Sequence, residues 1–226
     1  MSKKLLVVFP HPDDESYGCG GIIAKHVQEG GHVTYACGTL GQMGRNMGAP
    51  IFANRETLPL IREKELEDAC KALGVSRLRK LGLHDKMIEF EDREELAAML
   101  MKVIKEEKPD TILTHYPGYA VHPDHNSLGA ATMRAVQHMP KEDRPVVLAH
   151  AFSKNHERYI GEADVVIHIK EYLETKLEAL RAHRSQTESA LKDMDLGAAD
   201  VKEQYSFFVE ERFWTVDVDQ FDLIDR

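Results

Sequence analysis

The stretch Leu5-Leu6-Val7-Val8-Phe9-Pro10-His11-Pro12-Asp13-Asp14-Glu15 decides how this chain is read. Five apolar residues with no polar alternation describe a strand buried on both faces, as at the centre of a parallel sheet. Lys3 and Lys4 before an apolar run resemble a secretion signal. The run is too short for one, however, and Pro10-His11-Pro12 ends it at once. A core strand that delivers a cluster of His and Asp is the reading that remains.

Working outward, strands and helices alternate. A helix carrying Ile22, Ile23 and Val27 on its inner side should follow and close at Gly30-Gly31. Val33–Cys37 is the second strand, and Gly38 to Thr57 reads as a long functional loop. Pro59 opens a helix striped by Leu66, Ala69, Cys70 and Leu73, ended by Gly74. Leu78–Leu83 is a short third strand. Leu96, Met99, Leu100, Val103 and Ile104 follow the i, i+3, i+4, i+7, i+8 rule, so the methionines there are expected in the core. Thr111–Thr114 is the fourth strand, with a helix over Leu128–Met139 after the next loop. Val146–Ala151 and Val165–Ile169 are two further strands, Tyr172–Arg184 a helix, and Val216–Ile224 one more strand or an acidic tail. No repeat or linker interrupts this order, so residues 1–226 are expected to form a single domain. The fold class is α/β: a Rossmann-like, doubly wound, mainly parallel sheet with helices on both faces.

Composition narrows the function. Lys plus Arg number 29 against 38 Asp plus Glu, for a net charge of −9. That balance argues against a nucleic-acid partner, which needs cations for phosphates. No stretch approaches the length of a membrane span. Cys19, Cys37 and Cys70 are odd in number and not closely spaced, which points to a reduced, cytoplasmic protein.

Two segments carry chemistry: His11-Pro12-Asp13-Asp14-Glu15 and His122-Pro123-Asp124-His125. Each follows the C-terminal end of a strand, the first and the fourth. In the order 3-2-1-4-5 those strands are neighbours, and ligands of such sheets bind at that switch point. Together the segments offer three imidazoles, several carboxylates and no thiol. That suits a catalytic zinc with one open position, although other divalent transition metals accept the same donors. Side chains outside the coordination shell would then serve as base and acid. The bland alternative is that these are loop and helix-cap residues.

At these residues the sequence resembles the PIG-L/LmbE-like family of zinc de-N-acetylases, from Leu5 to about Gln186. The resemblance implies His11, Asp14 and His125 as zinc ligands and Asp13 as general base. His122 would be the charged stabiliser or acid, oriented by Asp124. It further implies Arg62, in Arg62-Glu63-Lys64-Glu65, as a substrate contact; the alternative is a surface arginine paired to Glu65. Asp85 would accept hydrogen bonds from sugar hydroxyls, and Tyr119 would stand in the pocket. His183-Arg184-Ser185-Gln186 matches a family motif without a chemical role. His115, His150 and His168 are given none either. Relatives often carry Gly-Glu-x-Gly after strand two, where this chain has Gly41-Gln42-Met43-Gly44. An amide there leaves hydrogen bonding but no charge.

The loop Gly41–Gly48 and the run Tyr116–His122 resemble one branch, the bacillithiol-biosynthesis deacetylases acting on N-acetylglucosaminyl-malate. Such a small-molecule amino-sugar substrate carries two carboxylates, and Arg45, Arg55 and Arg62 would border the crevice to hold them. Relatives also form trimers and hexamers, so a homo-oligomer is expected. Three rivals remain distinguishable. A dinucleotide enzyme would need Gly-x-Gly-x-x-Gly at the first turn, and Gly18-Cys19-Gly20-Gly21 comes too late. A two-metal phosphohydrolase would bind two ions. A non-catalytic metal-binding module would not depend on Asp13.

Overall fold

The computed structural model describes residues 3–192 and 208–221. In chain order the elements are β1 (Lys4–Phe9), α1 (Asp14–Gln28), β2 (His32–Cys37), α2 (Leu58–Leu73), β3 (Arg77–Lys80), α3 (Arg93–Glu107), β4 (Thr111–His115), α4 (Pro123–Gln137), β5 (Val146–His150), α5 (Glu157–Ile160), β6 (Val165–His168), α6 (Leu173–Ala182), α7 (Arg184–Lys192) and β7 (Glu210–Thr215). The sheet order is β3-β2-β1-β4-β5-β7-β6. The first five strands in that order pair parallel, and β7 runs antiparallel between β5 and β6. The mainly parallel α/β sheet expected from the alternation is present, with β1 and β4 adjacent.

β1 explains why the sheet has helices on both faces. Every residue from Leu5 to Phe9 is buried. Leu6 and Val8 pack with Ile112, Leu100, Leu128 and Val136 on the α3/α4 side. Leu5, Val7 and Phe9 pack with Ile23, Leu66, Leu73 and Ala179 on the α1/α2/α6 side. The strand period of two thus sends alternate residues into two separate cores. Among the described residues, no helix is long and apolar enough to cross a membrane.

Several boundaries differ from the sequence expectation. The fourth helix begins at Pro123 rather than Leu128, because His122 caps it and Pro123 suits the first turn. Its first turn therefore carries the second motif. Met99 is 37% exposed, on the solvent side of α3, and only Met101 packs against the core. Among the described residues the last strand is Glu210–Thr215; of the stretch Val216–Ile224, read as a strand or an acidic tail, residues 216–221 are not strand and 222–224 lie outside the described residues. The Glu-Glu-Arg start of the strand disguised it. Glu211 is nevertheless buried, paired to Lys176 Nζ at 2.7 Å and accepting the backbone N–H groups of Gly21 and Ile22. Those amides restart α1 after a non-helical break at Cys19.

Candidate active site

Strand pairing places the two motifs side by side. β1 and β4 run in register, Leu6 opposite Ile112, and both end at the same edge. The β1–α1 turn carries His11, with Asp14 as the first residue of α1. His125 stands in the first turn of α4. Tyr35 Oη, from β2, donates to the His11 carbonyl at 2.9 Å and holds the turn down.

Donor atoms of three residues converge. His11 Nδ1 lies 3.1 Å from His125 Nε2, His125 Nε2 lies 3.2 Å from Asp14 Oδ1, and His11 Nδ1 lies 3.5 Å from Asp14 Oδ2. A tetrahedral ion with bonds of ~2.0–2.2 Å spaces its ligands about 3.3–3.5 Å apart. The 3.1 and 3.2 Å separations lie just inside that spacing, and the 3.5 Å contact is to the other Asp14 oxygen. The tautomers fit as well. His125 Nδ1 lies 2.9 Å from the Ala120 carbonyl and must donate to it. His11 Nε2 lies 3.2 Å from both Asp124 Oδ2 and Asp85 Oδ1, so it carries its proton there. In its neutral form each ring would turn a lone pair toward the other across 3.1 Å; against burial, Asp14 and the other carboxylates hold both rings above the ordinary imidazole value, so a cation between them would displace a proton.

The electrostatics follow from this packing. Burial pulls His11 down, but hydrogen bonds to Asp124, Asp14 and Asp85 outweigh it and hold the ring well above its ordinary value. Burial would raise Asp14, yet His125 and His11 keep its carboxyl well below the usual range. Asp13 goes the other way. Burial, with the Asp14 charge and against the Arg62 charge, pushes it up to about 6. Its backbone sits at φ 103°, ψ −26°, a conformation costing on the order of 1–3 kcal/mol outside glycine.

The structure places each residue singled out above. His11, Asp13, Asp14, His122, Asp124, His125, Asp85 and Arg62 gather at this one edge. Arg62 is buried, not a surface partner of Glu65. Its Nη2 donates to the Pro12 carbonyl at 2.5 Å and approaches Asp13 Oδ2 at 3.4 Å, and Nη1 donates to the Gly41 carbonyl at 3.2 Å. Gly41 has a φ of 62°, and a side chain there would collide with that guanidinium. Asp124 does not hold the His122 ring with its carboxylate. It accepts instead from the Lys86 and Ile88 amides as well as from His11. His122 Nδ1 accepts from the Asp124 backbone N–H at 3.1 Å, so the neutral ring carries its proton on Nε2. Burial and the neighbouring His11 and His125 lower its pKa. A neutral N–H donor, rather than the imidazolium expected, is the form this environment favours.

Asp85 lies behind His11, its Oδ2 accepting the Met43 N–H at 2.8 Å. Gln42, at the departure from the family pattern, accepts the Asp85 N–H and so ties the two loops together. Arg45 is exposed on its loop and Arg55 is exposed beside Met43. Tyr119 packs edge-on against Tyr116, 5.5 Å between ring centres.

Sequence reasoning missed His115, which is buried and stacked 4.1 Å from the His125 ring. Burial, then the His125 charge, holds it neutral. Its position at the last residue of β4, beneath the second motif, was the available signal. A cavity of about 650 Å³ opens beside Asp14 and His125, walled by His150, Phe152, Arg212 and Trp214. These come from β5, β7 and the loop after β5, a region that had drawn no expectation.

Fold and site together define a doubly wound α/β domain with a His-His-Asp metal-type centre at its switch point. Residues 6–136 match the PIG-L family, described as GlcNAc-PI de-N-acetylase, and the chain belongs to that family. It is 53% identical over 219 residues to the probable N-acetyl-alpha-D-glucosaminyl L-malate deacetylase 2 of Bacillus cereus, covering 95% of this chain and 98% of that one. The Bacillus subtilis protein of the same description is 50% identical over 216 residues, with 95% and 98% covered. Among solved structures, the N,N'-diacetylchitobiose deacetylase of Pyrococcus horikoshii superposes with a TM-score of 0.74 at 26% identity, covering 98% of this chain and 86% of that one.

Proposed function

We propose that this chain hydrolyses the acetamide of N-acetylglucosaminyl-malate, releasing acetate and the free amine, with one zinc ion held by His11, Asp14 and His125. The observation that carries this reading is the donor triangle with both imidazole tautomers locked so that their lone pairs converge. Zinc in such a setting lowers the pKa of a water molecule and polarises a carbonyl. Asp13, pushed up to about 6, is suited to take the proton of the attacking water and pass it to the departing nitrogen. Arg62 fixes that carboxyl from behind through Asp13 Oδ2 and the Pro12 carbonyl. His122 offers Nε2–H to the oxygen on which negative charge grows, and His11 is oriented by Asp124 and Asp85.

The malate end is assigned from the two Bacillus relatives, and Arg45 and Arg55 are the exposed cations of the loop beside the site. Asp85 and Tyr119 stay in the proposal as sugar contacts. A cytoplasmic location and assembly as a trimer or hexamer complete it, the latter checked by light scattering. The test is primary-amine release from N-acetylglucosamine, its malate glycoside and chito-oligosaccharides. Highest kcat/KM on the malate glycoside, abolished by chelator and restored by zinc, is expected. Equal rates on all three would remove the malate assignment, and chelator-resistant turnover would remove the metal.

A further inference from the structure

His183-Arg184-Ser185-Gln186 takes no part in the chemistry above, yet its imidazole reaches the catalytic motif. His183 stands at the break between α6 and α7, fully buried, with Nε2 2.7 Å from Glu15 Oε1. Glu15 is fully buried as well. Its Oε1 also accepts from Ser16 Oγ at 2.6 Å, and its Oε2 accepts from the backbone N–H of Asp13 at 3.1 Å. That N–H belongs to the residue held at φ 103°. A non-glycine residue stays in that region only when its surroundings hold it there.

The junction itself is secured independently of the imidazole. Ser185 donates from its N–H and its Oγ to Glu65 at 2.7 and 2.6 Å, and the His183 carbonyl accepts from the Gln186 and Thr187 amides. The ring is therefore not needed to keep α6 and α7 together. What the ring does is orient, together with Ser16 Oγ, the Glu15 carboxylate, which in turn holds the Asp13 backbone N–H.

We propose that His183 is a positioning residue: through Glu15 it pins the Asp13 N–H and so sets where the Asp13 carboxylate points. The inference rests on Asp13 being the base. A plain strut between α1 and α6 is the competing account. Loss of a strut would lower stability and touch kcat and KM together. Loss of positioning would lower kcat alone, because a base displaced by about 1 Å costs on the order of 10²-fold.

The experiment compares His183→Leu with His183→Gln, whose amide can still donate to Glu15, in the full chain. Zinc content, kcat and KM on the malate glycoside, and crystal structures are measured. His183→Leu is expected to keep one zinc and its KM, lose about 100-fold in kcat, and show Asp13 out of its left-handed conformation. His183→Gln is expected to recover all but about 5-fold of that loss. Parent-like kcat in His183→Leu, an unmoved Asp13, or equal losses in both variants would overturn the proposal. If the parent itself releases no amine, the deacetylase reading fails, and the Asp13 conformation in the two crystal structures still decides the positioning.

Discussion

Asp13→Asn separates the base from the metal site most sharply. The Asp13 N–H is held by Glu15, and its carbonyl accepts from the Ser16 and Tyr17 amides at the start of α1. None of these contacts needs the carboxylate charge, and Asn tolerates positive φ better than most residues. Arg62 keeps the Pro12 and Gly41 carbonyls as acceptors. The variant should therefore fold, keep its donor triangle and hold one zinc. General-base catalysis is worth ~10²–10⁴ in rate, or about 3–5 kcal/mol of barrier, and a loss near 10³ in kcat is expected. A second effect has the opposite sign. A carboxyl whose pKa rises from 3.8 to about 6 on folding destabilises the fold once the pH exceeds both values. Well below pH 3.8 it costs nothing, since both states are protonated; the cost grows between 3.8 and about 6 and is full about one unit above that, on the order of 3 kcal/mol at most. In chelator, Asp13→Asn should then melt several degrees above the parent at pH 8, with most of that gap gone by pH 4. Amine release, zinc by mass spectrometry and paired melting curves measure all three. Retention of a tenth of parental kcat, or zinc loss equal to that of His125→Ala, would refute the assignment.

Asp124→Asn should weaken zinc affinity by about 10–100-fold, because it removes the charged partner of His11 Nε2; an Asn oxygen in the Oδ2 place still serves His11 and the Lys86 amide, while the Ile88 amide loses its acceptor; competition with a chromophoric chelator reads this. The acid limb of kcat/KM should follow deprotonation of Asp13 and fall at or below about 6, since bound zinc favours the carboxylate further; a limb near neutrality would exclude Asp13 as its source. Leu66→Ala, in the core between α2 and the sheet, should cost about 2–5 kcal/mol in urea melts and leave kcat per folded molecule unchanged.

The parallel sheet and its switch point were legible because β1 spells its burial openly, and two His-Asp clusters lie one strand apart. That adjacency gathered the donor side chains, and the resemblance to the PIG-L/LmbE-like family singled out which of them would be ligands. The strand at Val165 and the helix after Tyr172 were legible too, but the last strand was not, for physical reasons. β7 begins Glu-Glu-Arg, and the buried Glu211 there is stabilised by Lys176 and by two amides of a broken helix, partners far away in sequence. Arg62 announced a cation but not its direction. Only the fold shows it turned inward, onto Pro12 and Gly41. His183 could be seen as a motif but given no work, because its partner Glu15 is 168 residues away. Asp124 looked like the partner of its neighbour His122, yet at the start of a helix its carboxylate points across to His11 instead.

The same hydrogen bonds bear on whether the proposed site takes one metal or two. His11, His122 and Asp124 form a second group with closely spaced donor atoms, and it shares His11 with the first. His11 has two ring nitrogens to divide. Nδ1 faces the triangle, and Nε2 gives its proton to Asp124 and Asp85. A second ion could use Nε2 only by removing that proton and leaving an imidazolate between two cations. Such a bridge also separates the ions by more than the ~3.5–4 Å that in-line phosphate chemistry uses. His122 Nδ1 is already engaged by an amide, and the Asp124 carboxylate already accepts from two more. What is left to a second ion is one imidazole nitrogen and a carboxylate without spare direction. The hydrogen bonds of these residues thus favour the proposed single hydrolytic metal over a phosphate clamp.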